Sequence, residues 1–375
     1  MKLAVDTHHL FLEHAGTKRV TINLLEEFKQ MPHVQLKELK PSYSLFRGTG
    51  LLGKIMGHAF RFFWVHIHLP VLCFTHKVDI LLSPEFNTPM FTSCKRAVIA
   101  HDAHMRAQKE YTSSVWFYAY YIPFIEWAIR RADLILTVSN FAKQQTVELM
   151  RLDERKVEAV HLGVGQNFIN HQSTPAHQKE LYQQGLDFQN YILFVGTFEA
   201  RKNIERLIEA FAIFKKKNEV KAAELKLAII GKAASGKFSD RSMQIDLLIQ
   251  KLNLEKEVVL CGFISDAALP HFYKGARLLA FPSLHEGFGL PIIEGFASQV
   301  PVLTSDTCSM PEVGGNAVLL VDPYQVQDIA DKLERLVFDL PLREQLISNG
   351  KQRVEMFTWK TCADKMVAHL SSVLK

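Results

Sequence analysis

Eleven short runs of β-branched and aliphatic residues, each followed by a longer stretch with helical spacing, constrain this chain more than any other feature. In the first half they are KLAVDT (2–7), VDILLS (78–83), RAVIAHD (96–102), LILTVS (134–139) and VEAVHLGV (157–164). In the second half they are YILFVGT (191–197), LAIIGK (227–232), VVLCGFI (258–264), RLLAFPS (277–283), PVLTSD (301–306) and AVLLVD (317–322). Runs this apolar on both faces suit strands buried between two helix layers, the environment of parallel sheets. The polar stretch NHQSTPAHQKE (170–180) separates the two series. The expected fold is therefore α/β, with two doubly wound, Rossmann-like domains. Open sheets of this kind bind ligands beyond the carboxyl ends of their strands, so two facing sheets are expected to form an interdomain cleft.

Length agrees with two domains, because 375 residues exceed one ordinary core. Five scattered cysteines with no CxxC pair indicate neither a disulfide framework nor a zinc ribbon, and fit a reducing compartment. The start MKLAVDTHHL has too short an apolar run for a signal-peptide core, and no run of 18 apolar residues reads as a membrane span.

The stretch HEGFGLPIIE (285–294) leaves the carboxyl end of the expected strand 277–283. Pro291 suits the first turn of a helix, where its missing N–H costs nothing, so a helix over roughly 291–298 is expected with Glu294 on its first turn. Gly287 and Gly289 permit close backbone approach to a ligand, and donors at the helix start can bind oxygen atoms. Two acceptor-only carboxylates, Glu286 and Glu294, beside those donors suit a ligand rich in hydroxyls, such as a sugar or a ribose. Either acid alone fits equally well as a turn cap or as a partner of the helix dipole.

A second stretch, FVGTFEARKNIERLIEAF (194–211), reads as strand, turn and helix, with Asn203 as the expected cap. Arg201 and Lys202 stand where cations oppose the helix macrodipole. Their placement makes sense if they share an anion with the helix terminus, and a solvated basic turn is the plainer alternative.

Together these stretches resemble the retaining glycosyltransferases of family 4, whose GT-B fold has two facing Rossmann-like domains. The likeness spans nearly the whole chain and is strongest from about 190 to 323. It implies an acceptor-side domain over 1–170, to which a final helix, 358–375, crosses back, and a donor domain over 171–357. It implies that Glu294 holds the nucleotide ribose and Glu286 faces the donor sugar, and that Gly287, Phe288, Gly289 and Leu290 reach the sugar hydroxyls and diphosphate. Arg201 and Lys202 match positions that bind the diphosphate and stabilise it as it leaves, a form of charge stabilisation that is usually the largest catalytic contribution. No Asp-x-Asp occurs, so a metal bridge to the diphosphate is not signalled, and neither metal nor resident cofactor is expected. Gly231, Lys232 and Ile264 are further donor-binding positions on the same resemblance.

In the first half, EHAGTKRVTINLLEEF (13–28) resembles the family's glycine loop, with Gly16 and Thr17 before a helix and His14 and Ala15 where a second glycine is usual. His101 and Asp102 resemble a His-Asp element found mostly in mannosyltransferases, where the histidine lies by the donor sugar. A buried strand-end histidine is the structural alternative. A metal site of His101, Asp102 and His104 is disfavoured, because alternation turns strand neighbours to opposite faces.

Charge is uneven. Residues 1–170 hold 20 Lys/Arg and 15 Asp/Glu, and the remainder holds 24 of each. Segment 39–78 carries Lys40, Arg47, Lys54, Arg61 and Lys77, no acid, and the aromatic run FRFFWVHIHLP. Such a segment fits an anionic membrane surface, and fits equally a core helix with a solvated edge.

The expected activity is transfer of a sugar, with mannose from GDP-mannose the best single assignment, from a nucleotide diphosphate donor to a glycan or lipid-linked acceptor hydroxyl. Retained configuration, no nucleic-acid partner, a role in cell-surface polysaccharide or lipopolysaccharide synthesis, and a cytoplasmic or peripheral location complete the expectation. A nucleotide-sugar epimerase on the same fold, or a non-catalytic nucleotide-sugar-binding subunit, are the alternatives.

Overall fold

A computed structural model describes residues 1–11, 15–41, 51–101, 124–171, 174–233 and 240–375. His14, Arg47, Asp102 and His104 lie outside these residues. Contacts divide the chain into two units, Met1–Gly163 with Trp359–Lys375, and Val164–Thr358.

The first unit holds a six-stranded parallel sheet of β1 (Lys2–Asp6), β2 (Gln35–Leu39), β3 (Ile80–Ser83), β4 (Lys95–Ala100), β5 (Leu134–Thr137) and β6 (Val157–Ala159), in the order β2-β1-β3-β4-β5-β6. The inner strands β3 and β5 are buried at every residue. That follows from sequences such as ILLS and LILT, which offer no solvent face. The edge strand β2, QLKEL, shows only Leu39 fully buried. Its polar residues hide it from a search for apolar runs, and it was not among the expected strands. The terminal helix Trp359–Ser372 packs on helix Ala15–Gln30 and on β5.

The second unit repeats the architecture with β7 (Tyr191–Val195), β8 (Lys226–Ile230), β9 (Val258–Gly262), β10 (Leu278–Phe281), β11 (Val302–Ser305) and β12 (Val318–Val321), in the order β12-β11-β10-β7-β8-β9. Every pairing is parallel. Both sheets are thus doubly wound in the expected manner, and in each the expected apolar runs became strands.

Segment 39–78 forms a helix, Leu51–Phe63, that runs through a π-helical turn, Trp64–His68, into Leu69–Thr75. One face is core: Trp64, Val65, Leu69 and Cys73 pack with Ala4, Leu39, Val78 and Leu81. Among the described residues no helix is long and apolar enough to cross a membrane.

Candidate functional site

The carboxyl ends of β7 and β10 bring together two stretches some 80 residues apart in sequence. Beyond β7 the chain makes a tight turn, Ala200–Lys202, before helix Ile204–Lys217. Beyond β10 it runs through Pro282–Gly289 into helix Leu290–Ala297. Leu284 N donates to Arg201 O at 2.7 Å, which ties the two turns together.

Asn203 sits at the start of helix Ile204–Lys217 with a left-handed backbone, φ 60°, and its side chain does not cap the helix. Its Nδ2 instead donates to Pro282 O (2.9 Å) and Pro323 O (2.7 Å), so it braces two loops of the edge. The expected cap is corrected on this point: a capping side chain needs an extended backbone at that position, and the left-handed turn directs the amide elsewhere. Asparagine tolerates that conformation better than most residues.

Four charged side chains interlock on this frame. Lys202 Nζ donates to Glu286 Oε1 at 2.6 Å, and Arg201 Nη1 donates to Glu286 Oε2 at 3.2 Å. Arg201 Nε donates to Glu199 Oε2 at 2.7 Å, while Thr197 Oγ1 holds the other Glu199 oxygen at 2.9 Å. Lys202 also lies over the Phe281 ring, 5.2 Å from its centroid. Glu286 and Lys202 are both buried. Burial pushes the Glu286 carboxyl up, but the Lys202 and Arg201 charges outweigh it and hold the pKa at about 2. Burial, with Arg201 adjacent, pulls the Lys202 ammonium below its ordinary value against the pull of Glu286. Glu199 is also lowered, because the neighbouring Arg201 outweighs its burial. A carboxylate held so far down is a poor proton donor and, gripped by two cations, a weak nucleophile. Its chemical effect is to fix the direction of the two cations.

The loop after Glu286 is equally fixed. Ser309 Oγ lies within hydrogen-bonding reach of Glu286 O (2.9 Å) and Phe288 O (3.0 Å). Phe288 packs edge-on against Phe357. Gly289 has φ +96°, and a Cβ there would press on Ile292 Cδ1 at 3.0 Å, so this turn requires glycine. The helix begins at Leu290, one residue earlier than expected, with Pro291 in its first turn and Glu294 just beyond it. Glu294 is buried, and Tyr273 Oη donates to its Oε2 at 2.7 Å.

Other expected positions are not drawn into this cluster. Gly231 follows β8, where a Cβ would lie 1.9 Å from Gly196 O, so its absence of a side chain lets two backbone segments meet. Lys232 is exposed, with Nζ 5.9 Å from the Phe263 ring centroid. Ile264 is half-buried just past β9.

In the first unit, helix Ala15–Gln30 already includes Gly16 and Thr17 in its first turn, which corrects the expectation that they precede it. A Cβ on Gly16 would touch nothing, so the position does not force a close approach. His101 directly follows β4, is half-buried, and lies with Nε2 3.0 Å from Pro84 O. At the carboxyl end of β1, separated from β4 by β3, Asp6 accepts from His8 N at 3.1 Å and from Trp64 Nε1 at 3.0 Å, and its other oxygen lies 2.8 Å from His8 Nδ1. A cavity of about 740 Å³ opens at the opposite edge of this sheet, lined by Asp79, Arg96, Arg131 and Asp133, and is remote from these groups along the strands.

Sequence reading missed Glu199, Tyr273 and Ser309, and the Asp6–His8 pair. Glu199 and Asp6–His8 carried a local signal, an acid two residues before a partner. Tyr273 and Ser309 are brought in only by the fold.

Comparison with known proteins bears on the family and the fold. The pattern of Glycosyl transferases group 1 matches residues 156–353, and that of Glycosyltransferase Family 4 matches residues 16–167. The O-antigen chain mannosyltransferase B of Escherichia coli is 31% identical over 239 residues, 63% of this chain and 60% of that protein. A serotype-specific mannosyltransferase WbdA of Escherichia coli is 27% identical over 294 residues, 78% of this chain and 35% of that one. The matches therefore span less than two thirds of either relative's length. The crystal structure of Anabaena Alr3699/HepE, in complex with UDP and glucose, superposes with a TM-score of 0.72 at 16% identity, covering 99% of this chain and 100% of that one. That likeness establishes the GT-B type of fold. With one family pattern covering more than half of its length, and a second covering most of the remainder, the chain belongs to the glycosyl transferases of group 1, of the family 4 type.

Proposed function

We propose that this chain transfers a sugar from a nucleotide diphosphate donor to a hydroxyl of a glycan or lipid-linked acceptor, with retained configuration, in the synthesis of a cell-surface polysaccharide. Mannose from GDP-mannose is the preferred donor, and the choice of mannose is supported by the two Escherichia coli relatives, which are mannosyltransferases. The observation that carries the reading is the pairing of Arg201 and Lys202 on Glu286, directly before the backbone turn 287–290.

Two cations and two carboxylates sum to zero charge, so this cluster does not attract an anion by net charge alone. It offers directed donors instead. The Arg201–Glu286 bond is the longest of the cluster's ion pairs at 3.2 Å and is the one an arriving diphosphate displaces. Lys202, whose ammonium is disfavoured by burial, gains from a second anion beside it. Backbone donors at the start of helix Leu290–Ala297 complete the cradle. Glu294, oriented by Tyr273, accepts from the ribose hydroxyls. His101 hydrogen-bonds a donor-sugar hydroxyl.

In the reaction the bond between the anomeric carbon and the β-phosphate oxygen breaks, and the acceptor oxygen bonds to the same carbon on the same face. The acceptor proton passes to the departing phosphate oxygen. Arg201 and Lys202 stabilise the charge that grows on the diphosphate. They place directed donors where a bridging metal ion would otherwise act, and chelator is expected to leave turnover unchanged.

The test is incubation with labelled GDP- and UDP-sugars, with and without an acceptor glycan, followed by determination of the product's anomeric configuration. Transfer, or slow donor hydrolysis without acceptor, with retained configuration supports the proposal. Epimer formation, or binding with no turnover, replaces it with the alternatives above.

A further inference from the structure

The cavity of about 740 Å³ at the amino edge of the first sheet has a cysteine in its wall. Cys94, the residue before β4, lines it beside Thr92, Lys95 and Arg96, and is half-buried. Behind it, Cys73 on helix Leu69–Thr75 is fully buried, in the core cluster with Trp64, Leu69 and Leu81 against which Cys94 packs. Both are free thiols. The backbone anchors them to the same two residues leading into β3: Val78 N donates to Cys73 O at 3.0 Å, and Lys95 N donates to Asp79 O at 3.1 Å. The surroundings of the Cys94 sulfur are polar. Thr92 Oγ1 lies 2.9 Å from it and accepts from Cys94 N at 2.9 Å. The Arg96 guanidinium donates to the carbonyls of Pro89 (2.8 Å), Met90 (2.7 Å) and Arg131 (2.6 Å), and its charge and that of Cys94 act on each other. A thiol in contact with a second thiol, open on one side to a polar cavity and near a cation, has the setting of a redox-reactive pair.

We propose that Cys94 and Cys73 form a reversible oxidation site, in which a hydroperoxide entering the cavity oxidises Cys94 and Cys73 then closes a disulfide on it. The roles follow from the surroundings. The Cys73 thiol, hydrogen-bonded to Cys94, holds the Cys94 thiol down at about 7 against the effect of burial, and the Thr92 hydroxyl works in the same direction. The Cys73 thiol is raised in turn, by Cys94 and by burial. Cys94 is therefore the thiolate that attacks, and Cys73, shut off from solvent, is the partner that resolves. The other cysteines are set against this chemistry: burial pushes Cys261 and Cys362 up to about 12 and raises Cys308. In the first step the Cys94 sulfur attacks one oxygen of the hydroperoxide. The O–O bond breaks, an S–O bond forms, and the departing oxygen takes up a proton and leaves as water or an alcohol. The Cys73 sulfur then attacks the Cys94 sulfur. The S–S bond forms, the S–O bond breaks, and the hydroxide leaves as water with the Cys73 proton. Two electrons pass from the thiol pair to the peroxide, and a thiol reductant reverses the cross-link by exchange. The product ties helix Leu69–Thr75 to the start of β4 across a contact already present in the reduced chain.

The experiment is a time course of the full chain with hydrogen peroxide near neutral pH, each sample alkylated and mapped by peptide mass spectrometry. It needs neither donor nor acceptor, so its outcome is separate from that of the transfer assay. A peptide joining Cys73 to Cys94, lighter by the two lost hydrogens and released by dithiothreitol, is expected. Cys94 is expected to disappear at least about tenfold faster than Cys308, which is also half-buried but lacks a thiol partner. In Cys73→Ala, Cys94 should instead stop at the sulfenic acid, which dimedone traps. In Cys94→Ser, Cys73 should stay reduced over the same period. The wild-type map decides the matter even if a variant folds poorly. Loss of Cys94 no faster than that of Cys308 overturns the proposal. So does a dimedone-trapped Cys94 that accumulates in the wild type without the cross-link, or a cross-link that forms only between separate chains.

Discussion

At the carboxyl edge of the second sheet, Arg201, Lys202, Glu199 and Glu286 form a compact ionic cluster. At the same edge of the first, Asp6 holds His8 and Trp64, and His101 rests on the Pro84 carbonyl. Both sheets are six-stranded, parallel and doubly wound, so the backbone offers the same ligand-binding edge twice. Side chains alone make the edges different. One holds two cations whose direction is fixed by carboxylates, suited to a diphosphate. The other holds imidazoles and a buried carboxylate, suited to hydroxyl groups. A repeated architecture thus carries two chemically different edges.

The largest effects belong to the ionic edge. Lys202→Met, which keeps the packing over Phe281, is expected to lower kcat by about 10²–10³-fold, the usual loss for one directed transition-state donor. Arg201→Met with Lys202→Met is expected to fall short of the product of the single losses, because both act on one group. If the two losses multiply fully in a steady-state assay, the cluster does not act as a unit.

The histidine edge comes next. His101→Ala is expected to lower kcat/KM by at least about 30-fold, roughly 2 kcal/mol, with the melting temperature unchanged. Lost turnover that tracks a lowered melting temperature returns His101 to a structural role.

Donor grip separates Glu294 from Glu286. Glu294→Ala is expected mainly to raise the donor KM by about 10- to 150-fold, since hydrogen bonds to a charged acceptor are worth roughly 1.5–3 kcal/mol. Tyr273→Phe removes only the group that orients Glu294, and a KM rise of a few-fold, about 1 kcal/mol, is expected. Glu286→Gln, by contrast, should lower kcat, because it releases the cations. Equal small effects at Glu286 and Glu294 would reduce both to capping roles.

The two edges also respond to pH on opposite sides. Glu286 is lowered from 4.5 to about 2, so its stabilising contribution is complete above the unfolded value and is lost as pH falls from about 4.5 towards 2. The full difference amounts to about 3 kcal/mol. His8 is raised above 6.5: burial works against the shift, but Asp6 prevails. Its contribution is therefore complete below 6.5 and is lost as pH rises through the folded value. Melting curves of Glu286→Gln and His8→Asn against wild type should converge with wild type at low pH for the first and at high pH for the second. Convergence on the same side would contradict the assignment of charges.

The architecture was largely legible in the sequence because runs such as LILT and VLTS have no polar face to give to solvent. QLKEL was not, because an edge strand shares its composition with an exposed loop. At the site, the residue types at 201, 202, 286 and 294 were visible, since Gly-Phe-Gly-Leu-Pro marks a turn into a helix. Their pairing was not. Glu286 and Lys202 are 84 residues apart, and no local spacing shows that β7 and β10 are neighbours. Asn203 was misread because an asparagine before a helix is most often its cap, and only the backbone angle shows that it faces the other way.

The central claim is that Arg201 and Lys202 hold a diphosphate. Calorimetric titration of the wild-type chain and of Lys202→Met with GDP and UDP, each against its monophosphate, measures this without an acceptor. In the wild type, at least one diphosphate should bind about tenfold or more tightly than its monophosphate, roughly 1.4 kcal/mol, and Lys202→Met should abolish that margin. Equal affinity for diphosphate and monophosphate in the wild type, or a margin that survives in Lys202→Met, would contradict it.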